Sequence, residues 1–224
     1  MLRVAIDGPG GTGKSCIAQA VAERFGIEYI NTGAMYRALG LKSKRQDIDP
    51  ANEPAVKAML DDTVIDFADG RTMLDGEDVS GLLKTDDISM AASNISKLPV
   101  VREKVDKVSR HLAATKDVVM EGRDIGTTVM PDAEVKIFMT AALEVRAKRR
   151  YLQLIELGKE ADYDKILKET AERDYQDSHR EVSPLRRAED AVLLDTSDMT
   201  VEENIDAVVQ IITEKTQITP VRTM

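Results

Sequence analysis

The stretch Gly8-Pro9-Gly10-Gly11-Thr12-Gly13-Lys14-Ser15 follows an apolar run at residues 2–6 and precedes a helical pattern that extends to residue 25. The spacing G-x-x-x-x-G-K-S between a strand and a helix is typical of a phosphate-binding loop. Its glycines let backbone N–H groups turn inward around phosphates, Lys14 adds a positive charge, and Ser15 can hold Mg²⁺. The helix directs its positive dipole end at the same anion. We therefore expect a nucleoside triphosphate here, and the flanking elements argue against a chance glycine-rich turn.

The composition is that of an ordinary globular protein. With 224 residues, of which 42% are hydrophobic, the chain can form one domain with insertions or two small domains. No apolar run approaches the length of a membrane span, and the first residues lead into the loop rather than forming a signal peptide. We therefore expect a cytoplasmic protein without membrane contact. The single cysteine, Cys16, excludes an internal disulfide and a thiolate metal cluster, and we expect it to pack in the first helix.

The formal net charge of −9 disfavours a basic nucleic-acid-binding surface, so a polyanion must be held by locally placed arginines. Two basic clusters lie in the second half of the chain. Taken singly, each of these basic residues is most simply interpreted as part of a solvated helix face. The clusters are Arg146, Lys148, Arg149 and Arg150, and Arg173, Arg180, Arg186 and Arg187.

Short apolar runs alternate with helical patterns along the chain. Strands are predicted at residues 2–6, 28–30, 117–120, 135–139 and 192–194, and helices at residues 15–25, 33–42, 100–114, 142–157 and 201–215. This order predicts an α/β fold with a parallel sheet core, right-handed crossovers and a ligand at the carboxyl ends of the strands.

Two segments depart from the alternation. Residues 62–79 contain short strand patterns separated by Asp69-Gly70 and Asp75-Gly76, which predicts a small antiparallel sheet inserted on the parallel core. Residues 158–188 are strongly charged, with a helical pattern over residues 164–178 and a break at Ser183-Pro184. This segment is predicted to form a mobile helical lid.

Three further motifs indicate a second ligand. They are Gly33-Ala34-Met35-Tyr36-Arg37 after the second strand, Glu121-Gly122-Arg123-Asp124 after the third, and Arg173, Asp177 and Arg180, whose spacing places them on one face of a helix. Plain helix packing, a structural ion pair and an i,i+4 salt bridge are the respective alternatives.

The available side chains favour phosphoryl transfer. The two histidines, His111 and His179, lie outside these motifs, and no Ser-His-Asp or zinc-ligand spacing is present. A phosphate monoester is mostly ionised near neutral pH, so as an acceptor it needs no general base. Transfer then depends on positioning and on neutralising charge, for which Lys14, Mg²⁺ and several arginines suffice.

Together these motifs resemble the bacterial cytidylate (CMP) kinase family of P-loop nucleoside monophosphate kinases. The resemblance covers about residues 3–215 and includes Asn31-Thr32-Gly33, Ala91-Ala92-Ser93, Val101-Arg102-Glu103 and Asp124-Ile125-Gly126-Thr127 besides the motifs above. It implies a single kinase domain over residues 1–224, a monophosphate-binding region at residues 31–115 that includes the small sheet at 62–79, and a lid at residues 158–188.

The resemblance also implies in-line transfer of the ATP γ-phosphate to CMP or dCMP with Mg²⁺, in pyrimidine nucleotide metabolism. It assigns catalytic roles to Lys14, Arg37, Arg123 and Arg180, ATP binding to residues Gly8 to Ser15, and metal binding to Ser15 and Glu121. Arg37, Arg123 and Arg180 would hold the acceptor phosphate, Ser93, Arg102 and Asp124 would face cytosine, and Tyr36, Arg173 and Asp177 would contact the sugar. The amino group of cytosine can donate to Asp124, whereas uracil would present an acceptor there.

Two positions depart from the family pattern. Asn31 stands where the family has aspartate, and Glu121, one methylene longer, stands where aspartate precedes Gly-Arg-Asp. Two alternatives stay open: a small-metabolite kinase of the same architecture, and a nucleotide switch or binding module. A switch needs no second phosphate site, and the Asn-Lys-x-Asp string of guanine-specific switches is absent. We expect a monomer by default.

Overall fold

The structure, a computed structural model, describes residues 1–68 and 70–221, apart from the side chains of residues 84 and 86. Asp69 of the predicted turn and the last three residues of the predicted domain lie outside this part. The strands are β1 (Arg3–Asp7), β2 (Glu28–Asn31), β3 (Ile65–Ala68), β4 (Arg71–Leu74), β5 (Glu77–Asp78), β6 (Val118–Gly122), β7 (Val135–Thr140) and β8 (Val192–Asp195). The helices are α1 (Lys14–Phe25), α2 (Thr32–Arg45), α3 (Glu53–Asp61), α4 (Asp86–Ile95), α5 (Pro99–Thr115), α6 (Leu143–Glu156), α7 (Tyr163–His179) and α8 (Val201–Thr216). A 3-10 turn covers Ser80–Lys84 and a π-helical turn covers Ile125–Val129.

The chain divides into two compact units. One, here called the inserted unit, consists of Ile27–Val118 together with Met1. The other, the phosphate-loop unit, consists of Leu2–Gly26 and Val119–Met224.

The phosphate-loop unit contains strands in the order β6-β1-β7-β8. β7 runs parallel to both β1 and β8, with Ile6 opposite Ile137 and Phe138 opposite Leu193. The middle of β1 is fully buried, as expected for a strand covered on both faces. Because β1, β7 and β8 are parallel, their carboxyl ends share one edge, and the phosphate loop begins there. The predicted α/β fold with a parallel core is confirmed.

The inserted unit contains an antiparallel sheet in the order β3-β4-β5, with Ile65 opposite Leu74 and Met73 opposite Asp78. The predicted small antiparallel sheet is therefore present. Helices α2 and α4 pack so closely in this unit that a Cβ at Gly40 would lie only 2.7 Å from the backbone nitrogen of Ala92. Helices α3 and α4 were not predicted from the sequence. Within the described part of the chain, no helix combines the length and the apolar character needed to cross a membrane.

Candidate active site

The phosphate loop connects β1 to α1, and at two positions its backbone requires glycine. Gly8 has a φ of 149°, and a Cβ there would overlap the carbonyl oxygen of Met139 and lie 3.0 Å from its carbon. Gly11 has a φ of 81°, and a Cβ there would lie 2.9 Å from the Cβ of Arg146. Any larger residue would displace the loop from β7 or α6. The loop therefore has the close backbone packing that its sequence predicts.

Lys14 is buried beneath this loop. Its Nζ donates to the carbonyl oxygen of Pro9 at 2.6 Å and to Thr12 Oγ1 at 3.3 Å. Burial, together with the nearby positive charge of Arg123, lowers the pKa of Lys14 to about 7, although the negative charge of Glu121 opposes the shift. An anion bound at this ammonium would counter both effects. Ser15, next in the chain, is exposed.

Asp7, the last residue of β1, ties the loop after β6 to the start of the phosphate loop. Its two carboxylate oxygens accept hydrogen bonds from the backbone N–H groups of Ile125 at 2.8 Å and Gly126 at 2.7 Å. Burial raises the pKa of Asp7 to about 6, although these two hydrogen bonds oppose the shift. Because Ile125 directly follows Asp124, this carboxylate fixes the segment that carries the Gly-Arg-Asp motif.

Arginine and aspartate side chains from the segment after β6, from α7 and from the segment after α7 form ion pairs in the phosphate-loop unit. Arg123 Nε donates to Asp177 Oδ2 at 2.8 Å. Arg180 Nη2 lies 3.2 Å from Asp124 Oδ1, and Arg180 Nη1 lies 4.0 Å from Asp177 Oδ1. The structure thus brings together four of the residues that the sequence assigned to the acceptor.

Two guanidinium groups also approach the phosphate loop. A Cβ at Gly10 would lie 3.7 Å from Arg123 Nη2 and 3.9 Å from Arg173 Nη1. The backbone N–H groups of such a loop already favour anions, and Lys14 lies beneath it. This end of the unit therefore combines a phosphate cradle with guanidinium groups that can hold a further phosphate.

Glu121, on β6, and Ser15 are the predicted metal ligands. Glu121 is buried, and its negative charge acts to raise the pKa of Lys14. Among the described residues, no group of three or more His, Cys, Asp or Glu side chains could hold a metal ion. Mg²⁺ commonly keeps several waters and binds through one or two protein ligands plus substrate phosphates. The donor set therefore suits a metal that arrives with a nucleotide.

The inserted unit holds the other predicted residues. The guanidinium carbon of Arg102 lies 5.7 Å from the ring centre of Tyr36, within cation–π range. Arg37, in the second turn of α2, places Nη1 3.3 Å from where a Cβ of Gly33 would be. Ser93 is exposed on α4. Arg102 and Tyr36 thus lie together in this unit.

Asn31 caps α2. Its Oδ1 accepts from the backbone N–H of Ala34 at 3.0 Å, and its Nδ2 donates to the Tyr29 hydroxyl at 3.1 Å. An aspartate could make the first bond but not donate the second, and could only accept a hydrogen bond from the Tyr29 hydroxyl instead. The amide therefore has a structural use at this position.

One groove of about 810 Å³ lies in the inserted unit, along α3, β3 and α5. Apolar side chains such as Leu60 and Val108 line it together with lysines such as Lys104. None of the predicted site residues lines this groove. It therefore gives no support to the predicted site.

Two expectations from the sequence were wrong. Helix α7 ends at His179, and Arg180 is its C-cap with extended backbone, φ −66° and ψ 144°, so Arg180 does not share a helix face with Arg173 and Asp177. It approaches Asp124 from the segment that follows the helix. Cys16 is exposed on α1 rather than packed, because the buried face of α1 consists of other residues, including Ile17 and Val21.

The sequence reasoning missed two features of the site. Asp7 could have been noticed as a charged residue at the end of an apolar strand, immediately before the loop. The second is an ion pair between Arg146 and Asp174, with Arg146 Nη2 2.6 Å from Asp174 Oδ2. Arg146 belongs to a basic cluster recognised in the sequence, but nothing in the spacing showed that it pairs with Asp174 on another helix.

Comparison with known proteins identifies the family. Residues 4–214 match the sequence profile of cytidylate kinase. The cytidylate kinase of Caldicellulosiruptor saccharolyticus is 46% identical over 214 residues, which cover 94% of this chain and 95% of the relative. That of Lactobacillus johnsonii is 44% identical over 219 residues, with 96% and 95% covered. Among solved structures, an uncharacterized protein from Eubacterium ventriosum has a TM-score of 0.51 at 15% identity, covering 95% of this chain and 98% of that one, a likeness of fold alone. The chain belongs to the cytidylate kinase family.

Proposed function

We propose that this protein transfers the γ-phosphate of ATP to CMP or dCMP, giving ADP and CDP or dCDP, in pyrimidine nucleotide metabolism. The observation that carries this proposal is the approach of Arg123 and Arg173 to the phosphate loop beside Gly10. A loop suited to a triphosphate thus lies next to cations suited to a second phosphate. Family membership indicates that this second phosphate is the phosphate of the acceptor nucleotide, cytidine monophosphate.

ATP binds at the loop formed by residues 8–15. Backbone N–H groups of the loop donate to its phosphates, and the Lys14 ammonium exchanges the carbonyl of Pro9 for a phosphate oxygen. A phosphate oxygen carries a full negative charge, whereas a carbonyl carries only a partial one. The exchange therefore stabilises the charged form of a lysine whose pKa burial has lowered.

Arg37, Arg123 and Arg180 hold the acceptor phosphate. The carboxylates of Asp177 and Asp124 pair with Arg123 and Arg180 and hold these two arginines in place. The more highly charged phosphate replaces these carboxylates as the arginines' partner when CMP binds. Transfer then proceeds in line between two positioned phosphates, and the ionised acceptor oxygen needs no general base.

The freed carboxylates contact the rest of the nucleotide. Asp124 accepts from the cytosine amino group, and Arg102 and Ser93 satisfy the ring acceptors. Tyr36, Arg173 and Asp177 contact the sugar. Uracil presents an acceptor to Asp124, so UMP is a poorer substrate.

Ser15 and Glu121 would hold Mg²⁺ together with the phosphates of the nucleotide. When bound, it neutralises charge on the β- and γ-phosphates. Residues 158–188 serve as the lid that excludes water, and residues 31–115 form the monophosphate-binding region of a single kinase domain. We also propose that the protein is a cytoplasmic monomer whose partners are small nucleotides.

A coupled assay of ADP release with a panel of monophosphates tests the proposed function. We expect turnover with CMP and dCMP, and much less with AMP and UMP. Faster turnover of AMP or UMP than of CMP would reject the base assignment, and no turnover with any nucleotide would favour a small-metabolite kinase. Calorimetry with CMP in the absence of ATP addresses the third possibility, since a nucleotide switch should not bind CMP.

A further inference from the structure

Arg146 is a buried cation that none of the roles above uses. It lies in the first turn of α6, and only 5% of its surface is exposed. A buried charge is costly unless it is paired and hydrogen-bonded, so its partners indicate what it is for.

Those partners belong to the phosphate loop and to α7. Arg146 Nη1 donates to the carbonyl oxygen of Gly10 at 3.1 Å and to Asp174 Oδ1 at 3.0 Å, and Nη2 donates to Asp174 Oδ2 at 2.6 Å. Its Nε donates to the carbonyl oxygen of Ala141 at 2.9 Å. The rigid guanidinium fork thus joins the loop, the start of α6 and the proposed lid helix.

The bond to Gly10 fixes the direction of a loop N–H group. In a trans peptide the carbonyl oxygen and the following N–H point in opposite directions. With the carbonyl of Gly10 held toward Arg146, the N–H of Gly11 points away from that guanidinium. The backbone of Arg146 also packs directly against Gly11, so this peptide cannot easily rotate.

The bond to Asp174 fixes α7. Asp174 directly precedes Tyr175 and directly follows Arg173, whose Nη1 approaches Gly10. A bidentate pair between Arg146 and Asp174 therefore sets where α7 presents Arg173 relative to the loop.

We propose that Arg146 is a positioning residue, which holds the Gly10–Gly11 peptide and helix α7 in one geometry so that the γ-phosphate passes to the nucleotide acceptor rather than to water. This proposal rests on the proposed function. Lysine cannot replace Arg146, because a single ammonium cannot make the fork to Asp174 and reach the loop carbonyl together.

Arg146→Lys and Asp174→Asn test the proposal, with Arg150→Lys as the matched control. Arg150 is exposed on the same helix, where it donates to Gln153. For both test variants we expect kcat for CMP phosphorylation to fall about 100-fold, with a smaller rise in the KM for ATP of roughly fivefold. With CMP present, the ratio of ATP hydrolysis to transfer should rise about tenfold, because transfer to the misplaced acceptor slows while water can still reach the γ-phosphate. The control should match the wild type in each quantity.

The combined variant distinguishes positioning from general destabilisation. If the two residues act as one unit, the kcat of the double variant, Arg146→Lys with Asp174→Asn, should lie within about threefold of the kcat of the less active single variant. A purely structural pair would lower the thermal midpoint yet leave kcat and the hydrolysis-to-transfer ratio of the folded protein unchanged, and that result would overturn the proposal. If Arg146→Lys does not fold, Asp174→Asn alone tests the proposal, and wild-type kinetics of the folded Asp174→Asn variant would overturn it.

The proposed function can fail separately. If the wild-type protein phosphorylates no nucleotide, that function is rejected, and the role of Arg146 is then measured by calorimetry with ATP alone. Arg146→Lys should weaken ATP binding roughly fivefold, the value of one lost hydrogen bond, while Arg150→Lys should not. Equal ATP affinities for both variants would overturn the inference.

Discussion

Replacing Gly8 by alanine should disable the phosphate loop through its backbone. The new Cβ would overlap the carbonyl oxygen of Met139 on β7. In addition, the backbone φ of 149° at this position is one that residues other than glycine rarely adopt. Relieving the overlap requires the loop to move by roughly 1 Å, and a misplacement of that size costs about 100-fold in rate. The unfavourable φ adds about 1–3 kcal/mol of strain, which corresponds to a fall of roughly 3–10 °C in thermal midpoint.

Two other glycines provide the comparison. A Cβ at Gly81 would have no atom within 4 Å, so Gly81→Ala should leave stability and kcat/KM close to wild type. A Cβ at Gly10 would meet nothing closer than 3.7 Å, but it would point toward Arg123 and Arg173, where we propose that phosphates bind. Gly10→Ala should therefore lower kcat/KM by about tenfold or more while the thermal midpoint stays unchanged. Steady-state kinetics and thermal denaturation measure both effects, and Gly8→Ala with kcat/KM within threefold of wild type would refute the reasoning.

Three further predictions concern other parts of the molecule. Arg180→Ala should lower kcat/KM for CMP by about 100-fold or more with little change in thermal midpoint, whereas exposed Arg187→Ala should have no effect; a large loss of stability would instead make Arg180 structural. The pKa of Asp7, about 6 in the folded protein and 3.8 ordinarily, means that the folded state holds a proton the unfolded chain has released between those values. The stability that Asp7 contributes therefore falls by about 2 kcal/mol as pH rises from 4 to 7, and urea unfolding should show Asp7→Asn gaining that much on wild type; a pH-independent difference would contradict it. Trypsin should cleave residues 158–188 more slowly when ATP analogue and CMP are both bound, and equal cleavage would count against a lid.

The strand, loop and helix around the phosphate site could be predicted to within about two residues. The apolar run, the glycine spacing and the helical pattern each restrict the same few residues, so they agree on β1 and α1. The antiparallel insertion was equally clear, because its strands are separated by Asp-Gly turns such as Asp75-Gly76.

Helices α3 and α4 escaped prediction although their caps were visible. Asn52 caps α3 and is followed by Glu53-Pro54, and the side chain of Thr85 caps α4. These are ordinary helix start signals. Both helices are short, so their apolar periodicity spans too few turns to stand out without the caps.

In the candidate site, too, residues that belong to local motifs could be predicted, whereas contacts between distant segments could not. Lys14 and Arg123 could be identified from motifs, because each lies in one short stretch of sequence whose neighbouring residues complete the motif. Pairing across elements cannot be found that way, as the contact between Arg146 and Asp174 joins residues 28 positions apart on different helices. Arg180 shows the limit of extrapolating a helix, since one residue beyond its end the side chain leaves the predicted face.

The central claim is that one protein holds ATP and CMP with their phosphates end to end. A compound in which adenosine and cytidine are joined through five phosphates tests it most directly, by steady-state inhibition against each substrate in turn. We predict competition with both ATP and CMP, and far tighter binding than either substrate shows. Competition with ATP alone, at the affinity of a simple ATP analogue, would contradict the account.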